Sequence, residues 1–226
     1  MSQRLIQAEG LCAGYGRVSA IVDVDLHLDE GEMIALLGAN GAGKSTTLLT
    51  LAGAIRPTSG TINLFGNSDW RPTFRRAREG LALLPEQRAV FMGLTVRENL
   101  MIGRGDMQAA LEMFPELQRL LNVRAGLISG GEQQMLALAR ILATGPKLIL
   151  ADELSLGLAP LVVRRLLEAL SGAADAGAGV IIVEQHPQTA LRWTDRSYVM
   201  RRGRIEINGS SAELLNRADE LTDLYL

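Results

Sequence analysis

The stretch GANGAGKST, residues 38–46, follows the short apolar run MIALL and opens the helical pattern KSTTLLTLAG. It matches G-x-x-x-x-G-K-[ST], in which glycines let the backbone curl so that its N–H groups point at phosphate oxygens, at the positive end of the helix. Lys44 then reaches the β- and γ-phosphates of a nucleotide, and Ser45 can bind Mg²⁺. A chance glycine-rich turn is the alternative, and the strand before the motif and the helix after it argue against it. The residues predicted to bind the nucleotide are Gly38, Ala39, Asn40, Gly41, Ala42, Gly43, Lys44, Ser45 and Thr46.

Two adjacent carboxylates end another apolar run, LILADE, residues 148–153. Because ligands bind at the carboxyl ends of the strands in a parallel sheet, we expect Asp152 and Glu153 beside the phosphate-binding loop. Asp152 would hold Mg²⁺, directly or through water. Glu153 would be the general base that polarises a water for in-line attack on the γ-phosphate. The alternative is an ordinary acidic pair between a strand and a loop.

Two aromatic side chains are further candidates. His186 ends the apolar run GVIIVEQH. At the same sheet edge as the other two motifs it is a candidate sensor of the γ-phosphate, and a capping or core histidine is the alternative. Tyr15, in GYG, could stack on adenine, and an exposed turn tyrosine is the alternative.

The pattern of apolar residues predicts an α/β fold. Short apolar runs at LALLP, KLILAD and GVIIVE alternate with helical patterns such as APLVVRRLLEALSGA, which indicates a parallel sheet covered on both sides. IVDVDLHLDEGE alternates the apolar residues Val22, Val24, Leu26 and Leu28 with polar ones and predicts a half-exposed strand. Residues 95–122 break the rhythm, because they are helical with no strand between them. Thr95 and Glu98 form a capping box at the start of this helical insert.

Composition excludes several classes of protein. The 226 residues suffice for one large α/β domain. A net charge of −2 gives no basic excess for nucleic acid. The single cysteine, Cys12, allows no internal disulfide and suits a reducing cytosol. The N-terminus has no signal-peptide pattern, and no apolar run approaches the roughly 18 residues that a membrane-spanning helix needs.

The segment ISGGEQQ, residues 128–134, begins a second helix in an unusual way. Ser129 and Glu132 make a capping box, which explains the serine and the glutamate. It does not explain Gly130 and Gly131, since each glycine destabilises a helix relative to alanine. The exposed N–H groups of a helix start predict a second anion-binding site here.

S-G-G-x-Q resembles the signature motif of the ATP-binding cassette (ABC) ATPases, and the resemblance covers essentially the whole chain. It implies a P-loop NTPase (RecA-like) core with a parallel sheet, an N-terminal antiparallel β subdomain and a small helical insert at about 95–145, in a single ATP-binding domain of residues 1–226. Tyr15 matches the adenine-stacking aromatic, residues 38–45 the Walker A loop, Asp152 and Glu153 the Walker B motif with its base, and His186 the switch histidine. In this family two nucleotide-binding domains pair head to tail, so that Ser129, Gly130 and Gly131 would contact ATP bound by the partner.

The segments LLPEQRAVF, SLGLAP and VEQH resemble most the second ATP-binding subunit of branched-chain (hydrophobic) amino acid importers. The sequence departs from the family pattern at two places. The Q-loop glutamine usually follows proline directly, whereas here Glu86 stands between Pro85 and Gln87. An amide both donates and accepts, so we expect Gln87 near the metal and the attacking water, with Glu86 as the alternative. Leu154 stands where a proline usually follows the catalytic glutamate.

The resemblance implies a cytoplasmic ATPase subunit, peripheral on the inner face of the cell membrane, that drives an importer of a small polar solute. Its substrate is ATP with Mg²⁺. Its partners would be a second ATP-binding subunit, integral membrane permease subunits and, indirectly, a substrate-binding protein, but no nucleic acid. The rivals are a soluble ABC ATPase, for iron–sulfur assembly or DNA repair, and a phosphate-loop kinase or GTPase. A DNA-repair ATPase is disfavoured because no long heptad insert lies between the Walker A loop and the signature. A kinase or GTPase would not explain the signature motif.

Overall fold

The computed structural model describes residues 3–87 and 89–217. Within them the larger sheet has six strands in the spatial order β5-β6-β7-β3-β8-β9. The first five strands of that order run parallel, and the edge strand β9 pairs antiparallel with β8. Their bounds are β3 Met33–Leu37, β5 Leu81–Leu84, β6 Leu148–Asp152, β7 Gly179–Glu184, β8 Arg196–Arg201 and β9 Arg204–Ser210. The predicted parallel sheet is therefore confirmed, with one antiparallel strand added at its edge.

A smaller antiparallel sheet covers this core, in the order β2-β1-β4. Its strands are β1 Arg4–Tyr15, β2 Val18–Asp29 and β4 Ser59–Leu64. The buried residues of β2 are Ile21, Val24, Leu26 and Leu28, while Val22 is only half-buried. A bulge explains this shift from the predicted alternation, because Asp23 has a φ of 57° and the register with β1 changes there.

The helices lie on both faces of the larger sheet. Alternate residues of its central strands belong to two buried clusters, such as Ile149 and Ile182 on one face and Leu150 and Ile181 on the other. The first cluster packs against the long helices α5 and α6, and the second against α1 and the smaller sheet. Burial on both faces explains why these strands are continuous apolar runs. The helices are α1 Lys44–Leu51, α2 Thr73–Glu79, α3 Val96–Ile102, α4 Met107–Met113, α5 Gly130–Leu142, α6 Pro160–Asp175, α7 Pro187–Leu191 and α8 Ser211–Asn216.

The helical insert is interrupted. Helix α4 ends at Met113, and 3₁₀ helices follow at Pro115–Leu120 and Ala125–Leu127. The break has a local cause, since Phe114 is fully buried in a non-helical conformation and Pro115 has no N–H to donate. The segment from α3 to α5 contains no strand, as predicted. In the described part of the chain, no helix is both long and apolar enough to span a bilayer.

Candidate functional site

The predicted phosphate-binding loop connects β3 to α1 and is shaped by glycines. Gly43 is the N-cap of α1 with a φ of 106°, and a Cβ there would lie 2.8 Å from Ile21 Cγ2. Gly38 has a φ of 151°, and its Cβ would lie 2.4 Å from the Met200 carbonyl oxygen. Both positions therefore exclude side chains. No side chain caps α1, so its first N–H groups are available to an anion.

The loop opens into a cavity of about 550 Å³. Glu153, the first residues of β2 and Arg202 line it together with the loop. Its lining residues are Val18, Ser19, Ala20, Asn40, Gly41, Gly43, Lys44, Ser45, Thr46, Glu153 and Arg202. The loop and the carboxylate that we predicted as a base thus share one space.

Lys44 is a buried cation beside this cavity. Its Nζ donates to the carbonyl oxygens of Gly38, at 2.8 Å, and Ala39, at 3.0 Å. Burial lowers the pKa of Lys44, while the carboxylates of Glu153 and Asp152 act in the opposite direction. A positive charge that is already fixed in a buried site is suited to binding phosphate oxygens.

Asp152 and Ser45 converge from different parts of the chain. Ser45 Oγ donates to Asp152 Oδ1 at 3.2 Å, across strand β7, which lies between β3 and β6. Burial raises the pKa of Asp152, the hydrogen bond from Ser45 lowers it, and the nearby charges of Glu153 and Glu86 raise it. Hydroxyl and carboxylate oxygens are the donors that Mg²⁺ takes in nucleotide sites, so this pair fits the metal.

Glu153 follows β6 and is held by β7. Its φ is 47°, and its N–H donates to the Val183 carbonyl oxygen at 3.0 Å. Its carboxylate accepts a hydrogen bond from Gln185 Nε2 at 2.6 Å. Gln185 was not among the residues predicted from the sequence. The signal available was positional, since Glu153 and Gln185 are the first residues after two adjacent strands.

The aromatic candidates lie further out. His186 is exposed, is the N-cap of α7 and makes no capping hydrogen bond with its side chain. Tyr15, the last residue of β1, has 58% of its surface exposed. Neither is among the described residues that line the cavity of the phosphate-binding loop. Their roles stay predictions.

Glu86 and Gln87 are both exposed and lie at a second cavity, of about 420 Å³. Glu153 lines this cavity too, so Glu86 and Gln87 of the Q-loop share a cavity with the predicted base. The charge of Glu86 acts on Asp152, raising its pKa. Gln87 as the residue near the metal, with Glu86 as the alternative, stays a prediction.

The signature segment has the predicted cap. Ser129 is the N-cap of α5, where the Glu132 N–H donates to Ser129 Oγ at 3.3 Å and the Ser129 N–H donates to Glu132 Oε2 at 2.8 Å. These hydrogen bonds from Ser129, the one from its N–H first, lower the pKa of Glu132. Packing within the chain favours glycine at position 131, because a Cβ on Gly131 would lie 3.0 Å from both methyl groups of Val162 in α6. Among the described residues, none from 128 to 134 lines the cavity at Lys44.

Residues 21–155 match the sequence model of the family described as ABC transporter. The chain belongs to the ABC transporter ATPases. The predicted family and enzyme class are therefore confirmed, as is the α/β fold with its antiparallel subdomain.

Similar curated proteins include ATP-binding proteins of two kinds of transport system. The high-affinity branched-chain amino acid transport ATP-binding protein BraG of Pseudomonas aeruginosa is 42% identical over 222 residues, which is 94% of this chain and 95% of that protein. The probable branched-chain amino acid transport ATP-binding protein LivF of Archaeoglobus fulgidus is 34% identical over 93% of this chain and 94% of that protein. The lipopolysaccharide export system ATP-binding protein LptB of Haemophilus influenzae is 33% identical over 98% of this chain and 97% of that protein.

Solved structures agree with the fold. An ATP-binding subunit of an ABC transporter has a TM-score of 0.83 at 28% identity, over 97% of this chain and 98% of that one. A bacterial ABC transporter cassette described as dimeric has a TM-score of 0.81 at 25% identity, over 92% of this chain and 99% of that one.

Proposed function

We propose that this ABC ATPase hydrolyses ATP to energise the import of a small polar solute, most specifically branched-chain or other hydrophobic amino acids. The observation that carries the proposal is the 42% identity with BraG across nearly the full length of both chains. The relation to LptB favours a second candidate, the export of lipopolysaccharide, at a lower identity of 33%.

The catalytic proposal follows from the groups around the cavity. Lys44 and the N–H groups at the start of α1 bind the phosphates of ATP. Ser45 and Asp152 would hold Mg²⁺, which supplies positive charge for the phosphate oxygens, with Gln87 or Glu86 nearby. A water oxygen attacks the γ-phosphorus in line, the bond to the β–γ bridging oxygen breaks, and Glu153 accepts the proton of the water. ADP and phosphate are the products.

The partners are proposed from the position of the signature segment. Because residues 128–134 do not line the cavity at Lys44 within the described chain, Ser129, Gly130 and Gly131 are available to ATP held by a second ATP-binding subunit. The dimeric cassette of the same fold supports such a pair. Residues 1–226 would act as a single ATP-binding domain, with the insert at about 95–145 and the Q-loop facing permease subunits on the cytoplasmic side of the membrane. Residues 1, 2, 88 and 218–226 of that range lie outside the described residues.

Transport by the reconstituted complex tests the proposal. The chain is purified with the membrane subunits that remain bound to it, placed in liposomes with ATP, and supplied with its binding protein and radiolabelled leucine, isoleucine or valine. Uptake should require ATP and should disappear with Glu153→Gln, whose hydrolysis should fall by about 10²–10⁴. Removal of lipopolysaccharide from the bilayer without amino acid uptake would favour the export function. A chain that purifies without any membrane subunit would favour a soluble ABC ATPase.

A further inference from the structure

The turn between β8 and β9 carries an arginine where the backbone favours a different residue. Arg201 pairs with Arg204 across the two strands, so Arg202 and Gly203 form a two-residue hairpin loop. Both have a positive φ, 47° for Arg202 and 82° for Gly203. Positive φ at both central residues is the requirement of a type I′ turn, whose first central residue is preferably Asn, Asp or Gly. The arginine is therefore not explained by the turn itself.

The turn is fixed against the phosphate-binding loop. The Gly203 N–H donates to the Ala42 carbonyl oxygen at 2.9 Å. In the strand before the turn, the Met200 carbonyl oxygen is the atom that leaves no room for a side chain at Gly38. The backbone of the turn is thus positioned by the loop that binds the nucleotide, and Arg202 lines the cavity of that loop.

The side chain of Arg202 is a cation without a partner in the described part of the chain. It is exposed, and among residues 3–87 and 89–217 it makes no hydrogen bond or ion pair. Arg204, at the other end of the turn, differs, because its Nη1 lies 3.6 Å from Asp23 Oδ2. A guanidinium presents its N–H groups in a planar fork that matches phosphate oxygens. At the edge of a phosphate-binding cavity, Arg202 is therefore suited to a phosphate group.

The neighbouring strands indicate which phosphate Arg202 meets. The predicted base and the metal-binding carboxylate follow β6 on one side of β3, whereas Arg202 follows β8 on the other side. The turn also meets the start of β2, where the Val22 N–H donates to the Gly203 carbonyl oxygen at 2.8 Å. Tyr15, predicted to stack on adenine, pairs with Val18 at that end of β2. The γ-phosphate thus belongs on the side of the base, and the adenosine end of the nucleotide on the side of Arg202.

From this placement we infer that Arg202 binds the α-phosphate of the nucleotide, as a second cation beside Lys44. The inference rests on the proposed function, in which the cavity holds ATP. It explains why the turn carries an arginine, since a residue that serves a ligand can depart from the local preference of the backbone.

Nucleotide binding by Arg202→Asn tests the assignment. Asparagine is favoured at this turn position and carries no charge, so the variant should be at least as stable to urea as the parent chain. Its Kd for ATP should rise about 3- to 10-fold, with an equal rise for ADP and AMP, because all three contain the α-phosphate. ATP binding is measured by calorimetry in the Glu153→Gln background, in which the nucleotide is not consumed. The rise should shrink at about 1 M salt, where exposed charges are screened within about 3 Å.

Two further variants and the kinetics sharpen this test. Arg204→Gln removes a charge from the same turn and is the matched control, with a Kd for ATP within about twofold of the parent value. Arg202→Lys keeps the charge and should recover part of the affinity. In steady state, Arg202→Asn should raise KM for ATP as it raises Kd and should keep kcat within about twofold, because the α-phosphate is bound equally in the substrate and the transition state.

Several outcomes would contradict the inference. They are an unchanged Kd in Arg202→Asn, a rise for ATP that spares ADP or AMP, an equal rise in Arg204→Gln, and a loss of stability in Arg202→Asn, which would assign the arginine to the turn. Retained ATP binding by Lys44→Ala would instead contradict the proposed phosphate site. The two failures are therefore distinguishable.

Discussion

Glycines lie at the starts of both α1 and α5, but the N-termini of the two helices are built differently. The N-cap of α1 is Gly43 in a left-handed conformation, with no side-chain cap and no acidic residue in the first turn. The N-cap of α5 is Ser129, which forms a capping box with Glu132. The start of α1 therefore offers its N–H groups and positive end to an anion, while the start of α5 is stabilised within its own chain. In the proposed dimer, a phosphate at the start of α5 would belong to a nucleotide held by the other chain, and it would lie near the carboxylate of Glu132.

The largest difference between the two helix starts should appear on removing the buried cation of α1. Lys44→Ala should lower ATP hydrolysis by about 10²–10³-fold or more, because the phosphates lose their preorganised positive partner. Binding of a fluorescent ATP analogue and hydrolysis are measured together. Lys147→Ala, at an exposed lysine, is the control and should behave as the parent chain does. Retained binding of the ATP analogue by Lys44→Ala would contradict the assignment of the start of α1 as the phosphate-binding site.

The glycine of α5 that packs against α6 gives a smaller effect, on stability. Gly131→Ala places a methyl group 3.0 Å from the methyls of Val162, and overpacking of this kind costs about 1–3 kcal/mol, of which the higher helix propensity of alanine offsets about 0.5–1 kcal/mol. Urea unfolding should show this loss and its relief in Gly131→Ala combined with Val162→Ala. If the double variant is stable but still hydrolyses ATP slowly, Gly131 also serves the partner's phosphate. Full recovery of hydrolysis would mean that the glycine serves packing alone.

Two capping boxes in the described part of the chain provide a matched pair. Thr95 with Glu98 starts α3, and Ser129 with Glu132 starts α5. Thr95→Ala and Ser129→Ala should each lower the free energy of unfolding by about 0.5–2 kcal/mol. Only Ser129→Ala should also lower kcat for ATP, because only that cap meets a nucleotide in the proposed dimer. Equal kcat in the two variants would reduce the signature serine to a helix cap.

The smallest effect concerns the pH dependence of the α5 cap. The pKa of Glu132 lies below its ordinary value of 4.5 because the Ser129 N–H and hydroxyl donate to it. The unfolded chain then binds the proton more readily, so the contribution is present above pH 4.5 and is lost as the pH falls through the folded pKa. Glu132→Gln should be less stable by about 0.3–1 kcal/mol at pH 7. This difference should shrink below pH 4.5 in urea titrations, and a difference that is constant with pH would contradict the assignment.

Local features of the structure could be predicted from the sequence. The strands β3, β6 and β7 are buried on both faces, so each is a continuous apolar run. The phosphate-binding loop and the capping boxes depend on residues within a few positions of each other. Such patterns carry their own structural information.

Features that depend on distant contacts could not be predicted in this way. The bulge at Asp23 moves Ile21 into the core in place of Val22, and it depends on the pairing with β1. The packing of Gly131 on Val162 joins two helices. The contact between Gln185 and Glu153 depends on the neighbouring positions of β6 and β7 in the sheet. His186 was predicted to be functional from its side-chain chemistry. In the structure the preceding residue, Gln185, is the one that contacts the carboxylate of Glu153.

The claim that each active site is built from two chains is tested most directly with Ser129→Arg, whose bulky side chain fills the position proposed for the partner's γ-phosphate. Hydrolysis per chain is measured across protein concentrations, alone and after mixing with Lys44→Ala. We expect Ser129→Arg to bind ATP but to be nearly inactive alone. Activity should reappear on mixing, since one site of the mixed dimer then carries neither change. Full hydrolysis by Ser129→Arg alone, independent of protein concentration, would contradict the claim.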